Sequence, residues 1–181
     1  MWLPAGIVLL ALAATVVAGW ILVPHARLTG QIGPVSVAIE VPAEYRSIIR
    51  RAATRCPEVP ARVLAAQIAA ESGWDPRARS AAGARGIAQF MPKTWRQYGV
   101  DANGDGRANV WDPIDAITSA AELNCLNLHL VRSVPGDRLT NALAAYNAGH
   151  MAVRRYGGVP PFPETEAYVA RILTNARTIR L

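Results

Sequence analysis

Residues 71–92 read ESGWDPRARSAAGARGIAQFMP, and the rest of the chain can be interpreted outward from them. The segment opens with a carboxylate, Glu71, at the end of an apolar helical pattern. It continues through a run of Ala, Gly and Ser whose backbone can approach a ligand or another segment closely, because it carries little side-chain bulk. It closes on Gln89 beside Phe90 and Met91. A single Glu followed by a small-residue segment predicts a site, not only a scaffold.

An apolar stripe leads to Glu71 along the preceding helix, which begins near Pro60. Helical spacing places Glu71 on this buried face. Desolvation and the negative end of the helix dipole both raise the pKa of a carboxyl there, as a general acid at neutral pH requires. A partly exposed Glu that simply ends a helix fits the spacing equally well. The predicted stripe comprises Val63, Leu64, Gln67 and Ile68.

The remaining sequence is helical in pattern from Ala43 onward. Further helix starts are predicted at Pro92, at Asp112-Pro113, at Asp137 and at Glu164, from capping residues and first-turn prolines. The helix after Pro113 is expected to reach about Ser133, and the last helix about Arg177. The sequence therefore predicts an all-α domain over residues 43–181.

The first 24 residues predict a signal anchor or a signal peptide helix, because residues 2–23 are uncharged and about as long as a bilayer is thick. His25 and Arg27 follow the span and no Lys or Arg precedes it, so the positive-inside rule does not support an external C-terminal domain. Residues 25–42 form a predicted linker. Its alternating segment 35–41 either packs on the domain as a strand or stays extended as a spacer.

The chain carries a net charge of +6, which favours anionic surroundings or simply gives a soluble surface. Its basic residues are scattered, so no nucleic-acid platform is predicted. Cys56 and Cys125 do not form a zinc pattern. In an exported protein they predict one disulfide, and in the cytosol two reduced thiols in the core.

A loop rich in Asp, Asn and Gly follows the helix at Pro92. Its spacing resembles a calcium-binding loop of the EF-hand type, although Asp112 replaces the usual bidentate Glu at the last position. An acidic turn without an ion is the alternative. The candidate ligands are Asp101, Asn103, Asp105, Arg107 (through its backbone), Asn109 and Asp112.

Three ordered motifs in the chain resemble the soluble lytic transglycosylase (SLT) domain family, which is related to the goose-type lysozymes. The first comprises ESGWDP at residues 71–76, SAAGA at 80–84 and GIAQFMP at 86–92. The second is AYNAG at residues 145–149 and the third is ETEAYV at residues 164–169. The paired cysteines and the Asp/Gly loop are similar to the secreted, actinobacterial branch. The resemblance implies a lysozyme-like helical fold.

The resemblance also implies residue roles. Glu71 would be the sole catalytic acid and base, and Tyr146 would position it. Ser72 would hold its carboxylate or contact a sugar. Gln89, with Gly86 nearby, would bind substrate, Asn147 would bind an acetamido sugar, and Tyr168 would complete the site. Trp74, Trp95 and Tyr146 are candidates for stacking on sugar rings, although at least one of them is expected to pack in the core instead.

The implied reaction cleaves the β-1,4 bond between N-acetylmuramic acid and N-acetylglucosamine in peptidoglycan and leaves 1,6-anhydro ends. A hydrolytic muramidase on the same bond and a non-catalytic wall-binding module are the alternatives. No cofactor is required, and calcium would be structural. The expected partners are peptidoglycan strands and a membrane reached through the N-terminal helix, with no nucleic acid. The expected protein is a monomer outside the cytoplasm, anchored or secreted.

Overall fold

The computed structural model describes residues 39–181. The predicted signal helix at residues 1–24 and the linker up to residue 38 lie outside the described residues. Seven helices make up the described part, whose only strand-like pairs are isolated bridges. No helix within residues 39–181 is long and apolar enough to cross a membrane. The helices are α1 (Ala43–Thr54), α2 (Ala61–Ser72), α3 (Pro92–Tyr98), α4 (Pro113–Leu130), α5 (Arg138–Ala148), α6 (His150–Tyr156) and α7 (Pro163–Asn175).

The predicted capping residues Asp112 and Asp137 do cap the first turns of α4 and α5. Asp112 accepts hydrogen bonds from the backbone N–H groups of Ile114 (2.7 Å) and Asp115 (3.3 Å), with Pro113 in the first turn of α4. Asp137 likewise accepts from the backbone N–H of Thr140 at 2.7 Å, which begins α5. These contacts satisfy amides that have no partner inside the helix.

Two predicted helix ends were too late. Helix α4 ends at Leu130, not near Ser133, because the chain turns there and buries the side chains of both Val131 and Val134. Helix α7 spans Pro163–Asn175, so it starts one residue before Glu164 and stops two before Arg177. Both differences are within the error of a few residues that is usual for helix ends predicted from a sequence.

Helix α2 is the buried element that positions the site. Every residue from Val63 to Ile68 is buried, and the helix packs against α1, α4 and α7. It ends at Gly73, which adopts the left-handed conformation (φ 61°) that suits a glycine after a helix. Because α2 is enclosed for most of its length, Glu71 emerges from the core at its last turn.

Two further connections tie the domain together. Cys56, after α1, forms a disulfide with Cys125 of α4, with 5.5 Å between the Cα atoms, so the predicted pairing is confirmed. Residues 39–41 pair with the C-terminal segment, where Arg180 N–H donates to Ile39 (3.0 Å) and Val41 N–H donates to Arg180 (3.2 Å). The side chain of Val41 is fully buried, so the folded unit includes the last residues of the predicted linker.

Candidate active site

A cavity of about 520 Å³ lies beside the end of α2. Its wall includes small residues of the 80–84 segment, as expected from their lack of bulk, and it holds Glu71, Gln89, Tyr146, Asn147 and Tyr168 of the predicted site. Ser72 and Gly86 do not line it. The lining residues are Ala70, Glu71, Ser80, Ala82, Ala84, Gln89, Met91, Tyr146, Asn147, Glu164, Ala167, Tyr168 and Arg171.

Glu71 is partly buried and its carboxylate accepts a hydrogen bond from the Tyr168 hydroxyl at 2.5 Å. Burial is the main cause that raises the pKa of Glu71 from 4.5 to about 7. The Tyr168 hydrogen bond and the charge of Arg171 lower this pKa, whereas the charge of Glu164 raises it. The carboxyl group is therefore poised between its two protonation states near neutral pH, as acid–base chemistry requires.

Tyr168 is held in turn by buried amides. Gln67 Nε2 donates to the Tyr168 hydroxyl oxygen at 3.2 Å, and Asn124 Nδ2 donates to Gln67 Oε1 at 2.6 Å. Gln67 was predicted to lie on the buried face of α2 but no role was predicted for it, and none was predicted for Asn124. The only sequence signal was a Gln one helical turn before Glu71, on the same face.

The hydroxyl groups of Tyr146 and Ser72 donate to the backbone of a neighbouring loop and not to Glu71. The Tyr146 hydroxyl donates to the Ala88 carbonyl at 2.9 Å, and the Ser72 hydroxyl donates to the Ile87 carbonyl at 2.8 Å. Both side chains therefore fix the loop after the small-residue segment. Burial, with the Glu71 charge as a smaller cause, raises the pKa of Tyr146 well above 10, which keeps it a neutral donor.

Gln89 adopts a left-handed backbone conformation (φ 49°), which is uncommon for a residue with a side chain. Its side-chain Nε2 donates to the carbonyls of Gly86 (2.8 Å) and Ala78 (3.2 Å). Its amide donors are thus used within the loop, and only its carbonyl oxygen is left to face the cavity. Gly86 itself is structural, because a Cβ there would lie 2.1 Å from the Val110 carbonyl oxygen.

Asn147 stands at the end of α5 with a defined orientation. Its Oδ1 accepts a hydrogen bond from the Thr165 hydroxyl of α7 at 2.6 Å. Its Nδ2 has no hydrogen-bond partner among the described residues, so the amide presents a donor at the cavity wall. Thr165 is almost fully buried, and its contribution was not predicted from the sequence.

Two charged residues of α7, Glu164 and Arg171, also line the cavity and were missed. Glu164 lies in the first turn of the helix, and Arg171 donates to the Ala70 carbonyl at 3.3 Å. Within the 164–169 motif only Tyr168 was predicted to be a site residue. Glu164, Ala167 and Arg171 follow a spacing of three and four residues, which places them on one face of α7 with Tyr168.

The two tryptophans considered for sugar stacking do not line the cavity. Trp74 stacks on Tyr45 with ring centroids 6.0 Å apart, and Trp95 packs edge-on against Phe90 at 5.1 Å. Both pack against the core. Of the three aromatic candidates, Tyr146 alone is at the cavity, where it also contacts the ring of Phe90.

The predicted calcium loop is held by its own backbone amides. Asp101 accepts from the N–H groups of Gly104 (2.8 Å), Asp105 (3.2 Å) and Gly106 (2.8 Å). Within residues 39–181 no group of three or more His, Cys, Asp or Glu side chains could hold a metal ion.

Hydrogen bonds within the same loop also occupy the other candidate ligands. Asn103 Nδ2 lies 3.3 Å from both Asp105 and Asp112, so it places a donor where a cation would need an acceptor. Asn109 accepts from Trp111 N–H, and the backbone N–H of Arg107 donates to Asp105. In this arrangement the donor set does not fit calcium, and calcium binding stays a prediction.

Comparison with known proteins places the chain in a family. The model of the Transglycosylase SLT domain family matches residues 48–169. Membrane-bound lytic murein transglycosylase F of Maricaulis maris is 39% identical over 106 residues, which cover 58% of this chain and 22% of that protein. Membrane-bound lytic murein transglycosylase B of Escherichia coli is 60% identical over 42 residues, 23% of this chain and 12% of that protein.

Solved structures agree with these sequence matches. An inactive mutant of the lytic transglycosylase Slt from Pseudomonas aeruginosa has a TM-score of 0.57 and 26% identity, covering 75% of this chain and 24% of that one. The 70 kDa soluble lytic transglycosylase of Escherichia coli has a TM-score of 0.56 and 25% identity, covering 73% and 23%. The chain thus spans less than a quarter of each of these longer relatives. The family match covers most of the described residues, and the chain belongs to the Transglycosylase SLT domain family.

Proposed function

We propose that this protein is a peptidoglycan lytic transglycosylase, which cleaves the β-1,4 bond between N-acetylmuramic acid and N-acetylglucosamine and leaves 1,6-anhydro ends. The observation that carries the proposal is the Glu71 carboxyl group. It lies in a cavity, burial raises its pKa to about 7, and it accepts a hydrogen bond from Tyr168. The relatives are named lytic murein transglycosylases, which supports the same substrate class.

In the proposed reaction Glu71 first acts as an acid and protonates the glycosidic oxygen. The bond from that oxygen to C1 of the muramic acid breaks, and the acetamido oxygen of the same sugar bonds to C1. The Glu71 carboxylate then takes the proton of the sugar's 6-hydroxyl, whose oxygen closes on C1 and displaces the acetamido group. Glu71 ends protonated, and no water is consumed.

The cavity wall supplies groups suited to this substrate. Asn147 presents an amide donor to a sugar carbonyl or hydroxyl, and Gln89 offers its carbonyl oxygen. The small residues of the 80–84 segment leave room for the polymer backbone. Arg171 at the wall and the net charge of +6 favour an anionic polymer.

Hydrolysis of the same bond is the second candidate, and one observation favours it. Most glycoside hydrolases use two carboxyl groups, and Glu164 lines the same cavity as Glu71. In a hydrolase Glu164 would activate water. In the proposed transglycosylase it would contribute only charge and substrate contacts.

Product analysis separates the candidates. Sacculi digested with the purified domain are examined by mass spectrometry. Anhydro ends support the transglycosylase, and reducing ends support the hydrolase. Glu71→Gln should abolish either product, and Glu164→Gln should abolish reducing ends if Glu164 activates water. If the wild-type protein binds sacculi but releases soluble fragments from them no faster than Glu71→Gln does, the domain is a wall-binding module instead.

We also propose that the domain acts outside the cytoplasm, because the Cys56–Cys125 disulfide is typical of oxidising compartments. Anchoring by residues 1–24 and a monomeric state belong to the same proposal. A blot of fractionated cells tests the anchor through the size and membrane association of the mature protein. Light scattering of residues 39–181 tests the monomer.

A further inference from the structure

A line of buried side chains runs from the core of the domain to Glu71. Asn124 of α4 donates to Gln67 of α2 (2.6 Å), Gln67 donates to Tyr168 of α7 (3.2 Å), and Tyr168 donates to Glu71 (2.5 Å). We propose that Gln67 and Asn124 are positioning residues that commit the Tyr168 hydroxyl hydrogen to the Glu71 carboxylate. The proposal deepens the proposed function and rests on it for its catalytic meaning.

The direction of the hydrogen bonds carries the argument. A tyrosine hydroxyl has one hydrogen to donate and an oxygen that can accept. Because the amide group of Gln67 fills the acceptor side of Tyr168, the hydrogen is left to point at Glu71. If the amide of Gln67 were reversed, its Oε1 would compete with Glu71 for that hydrogen.

Asn124 disfavours this reversal. Its Nδ2 donates to Gln67 Oε1, which requires that the Gln67 Nε2 faces Tyr168. Reversal of Gln67 alone is costly in this short and fully buried contact, because it would leave two donors facing each other. Asn124 thus favours one orientation of Gln67, and Gln67 in turn directs the Tyr168 hydroxyl toward Glu71.

Packing alone does not explain these amides. Gln67 and Asn124 are both fully buried, and apolar residues of similar size could fill the same volume without desolvation cost. Asn124 Oδ1 also has no hydrogen-bond partner among the described residues, which adds to that cost. A polar group kept in the core at this expense is expected to have a role beyond filling space.

Other titratable groups around Glu71 are not part of this series. They are Glu164 and Arg171 on α7 and Tyr146 on α5. None of them hydrogen-bonds to Gln67 or Asn124. Substitution of the two amides therefore leaves the charges that face Glu71 unchanged, and a change in its titration would report on the Tyr168 hydrogen bond.

The test is a direct titration of Glu71 by NMR, with ¹³C in the Glu side-chain carboxyls and Glu71→Gln to assign the signal. Gln67→Met removes the donor to Tyr168, and Asn124→Leu removes the group that orients Gln67. In each variant we expect the pKa of Glu71 to rise by about half to one unit. Gln67→Met leaves the Tyr168 hydroxyl without the donor that polarises it, which makes it a weaker donor to Glu71. Asn124→Leu frees Gln67 to reverse, so that its Oε1 competes with Glu71 for the hydroxyl hydrogen. The alkaline limb of sacculus digestion should move by the same amount.

Asn141→Leu is the matched control. Asn141 is also a buried Asn, and its Nδ2 donates to the Pro135 carbonyl at 2.9 Å, without contact with the series. This variant should lose stability, measured by urea unfolding, and keep the wild-type titration of Glu71. In a Tyr168→Phe background, Gln67→Met should cause no further shift.

Two results would overturn the proposal. One is a Glu71 titration in Gln67→Met that moves no more than in Asn141→Leu. The other is a shift by Gln67→Met that persists in the Tyr168→Phe background. If Asn124→Leu does not fold, the near-isosteric Gln67→Met decides alone. The titration needs no substrate. A protein that fails to cleave sacculi would therefore refute the proposed function, while the role of Gln67 and Asn124 would still be decided by the titration.

Discussion

The Tyr168 hydroxyl of α7 lies 2.5 Å from the Glu71 carboxylate of α2, although 97 residues separate them in the chain. The contact joins the last turn of one buried helix to the middle of another, and the two helices pack together. The protonation state of Glu71 therefore depends on how α7 is docked. This relation makes Tyr168 the first residue to vary.

Tyr168→Phe should raise the pKa of Glu71 above about 7, because the hydroxyl stabilises the charged form. Activity on sacculi should fall by about tenfold at the optimum, the effect of one lost hydrogen bond to a charged group. Its decline on the alkaline side should move to higher pH. The measurement is the rate of release of soluble fragments between pH 4 and 9.

Tyr156→Phe is the control for that experiment, because Tyr156 is a tyrosine 47% exposed on α6 and outside the cavity lining. It should keep both the rate and the pH profile. A Tyr168→Phe variant with the wild-type profile would show that the hydroxyl does not influence Glu71.

Glu71→Gln should make the protein more stable while it removes activity. The pKa of Glu71 is raised from 4.5 to about 7 on folding, so in this range the folded protein keeps a proton that the unfolded chain has lost. The free energy of unfolding of the wild type therefore falls as pH rises from about 4.5 to about 7. Glutamine has no carboxyl group to titrate, so the free energy of unfolding of Glu71→Gln does not fall in this way as pH rises.

The expected difference is about 2 to 3 kcal/mol in favour of Glu71→Gln at pH 8, and close to zero at pH 4. Urea unfolding at the two pH values measures it. Glu44→Gln, at an exposed position in the first turn of α1, should show no comparable gain at pH 8. Equal stability of Glu71→Gln and wild type at pH 8 would contradict the raised pKa.

The sequence was sufficient to place Glu71 but not its partner. Helical spacing along α2 put Glu71 on the stripe of Leu64 and Ile68, and the structure has it at the end of that face. Spacing fixes which residues share a face within one helix. It does not fix which of two tyrosines on other helices reaches the carboxylate. Tyr146 was expected to position Glu71 and Tyr168 to complete the site, and the hydrogen bond to Glu71 comes from Tyr168.

The hydrogen bonds of the loop could not be predicted from the sequence, for a related reason. From the family resemblance, Ser72 was expected to hold the Glu71 carboxylate or to contact a sugar. Successive helical residues point about 100° apart, and Ser72 instead bonds the backbone of Ile87. Gln89 likewise uses its amide to hold its own turn. Such side chain–backbone contacts depend on the path of a loop that has no periodic signal.

Thr165→Val should weaken substrate binding without changing the acid–base group. The Thr165 hydroxyl holds Oδ1 of Asn147 at 2.6 Å and thereby fixes which end of the amide faces the cavity. Valine has nearly the same shape and no donor, so the amide can turn over. We expect KM for a soluble glycan fragment to rise about threefold to tenfold, as for one lost hydrogen bond, with kcat and its pH profile little changed.

Thr140→Val offers a comparison, because the Thr140 hydroxyl bonds Asp137 at the start of α5, outside the cavity lining. It should change stability only. A Thr165→Val variant that lowers kcat and leaves KM unchanged would show that Asn147 acts in the chemical step instead.

Gly86→Ala and Gly83→Ala test the close approach that shapes the cavity wall. Both glycines have positive φ, 75° and 92°, so alanine strains the backbone at either position by about 1 kcal/mol. At Gly86 a Cβ would also lie 2.1 Å from the Val110 carbonyl oxygen, whereas at Gly83 it would meet nothing within 4 Å. Urea unfolding should show Gly86→Ala to be the less stable by about 2 kcal/mol or more. Equal losses would mean that the loop moves away from Val110 at little cost.

Asp101→Ala should destabilise the loop between α3 and α4 whether or not calcium binds. The carboxylate accepts from three backbone N–H groups, and their loss should lower the free energy of unfolding by about 1 to 2 kcal/mol in calcium chelator. Calcium binding itself stays a prediction, and the melting temperature of the wild type with and without millimolar calcium tests it. A rise that Asp101→Ala abolishes would show that the loop rearranges around the ion, with Asn103 turning its oxygen inward. No rise, together with the loss in chelator, would show that the loop is stable through its own hydrogen bonds and needs no ion.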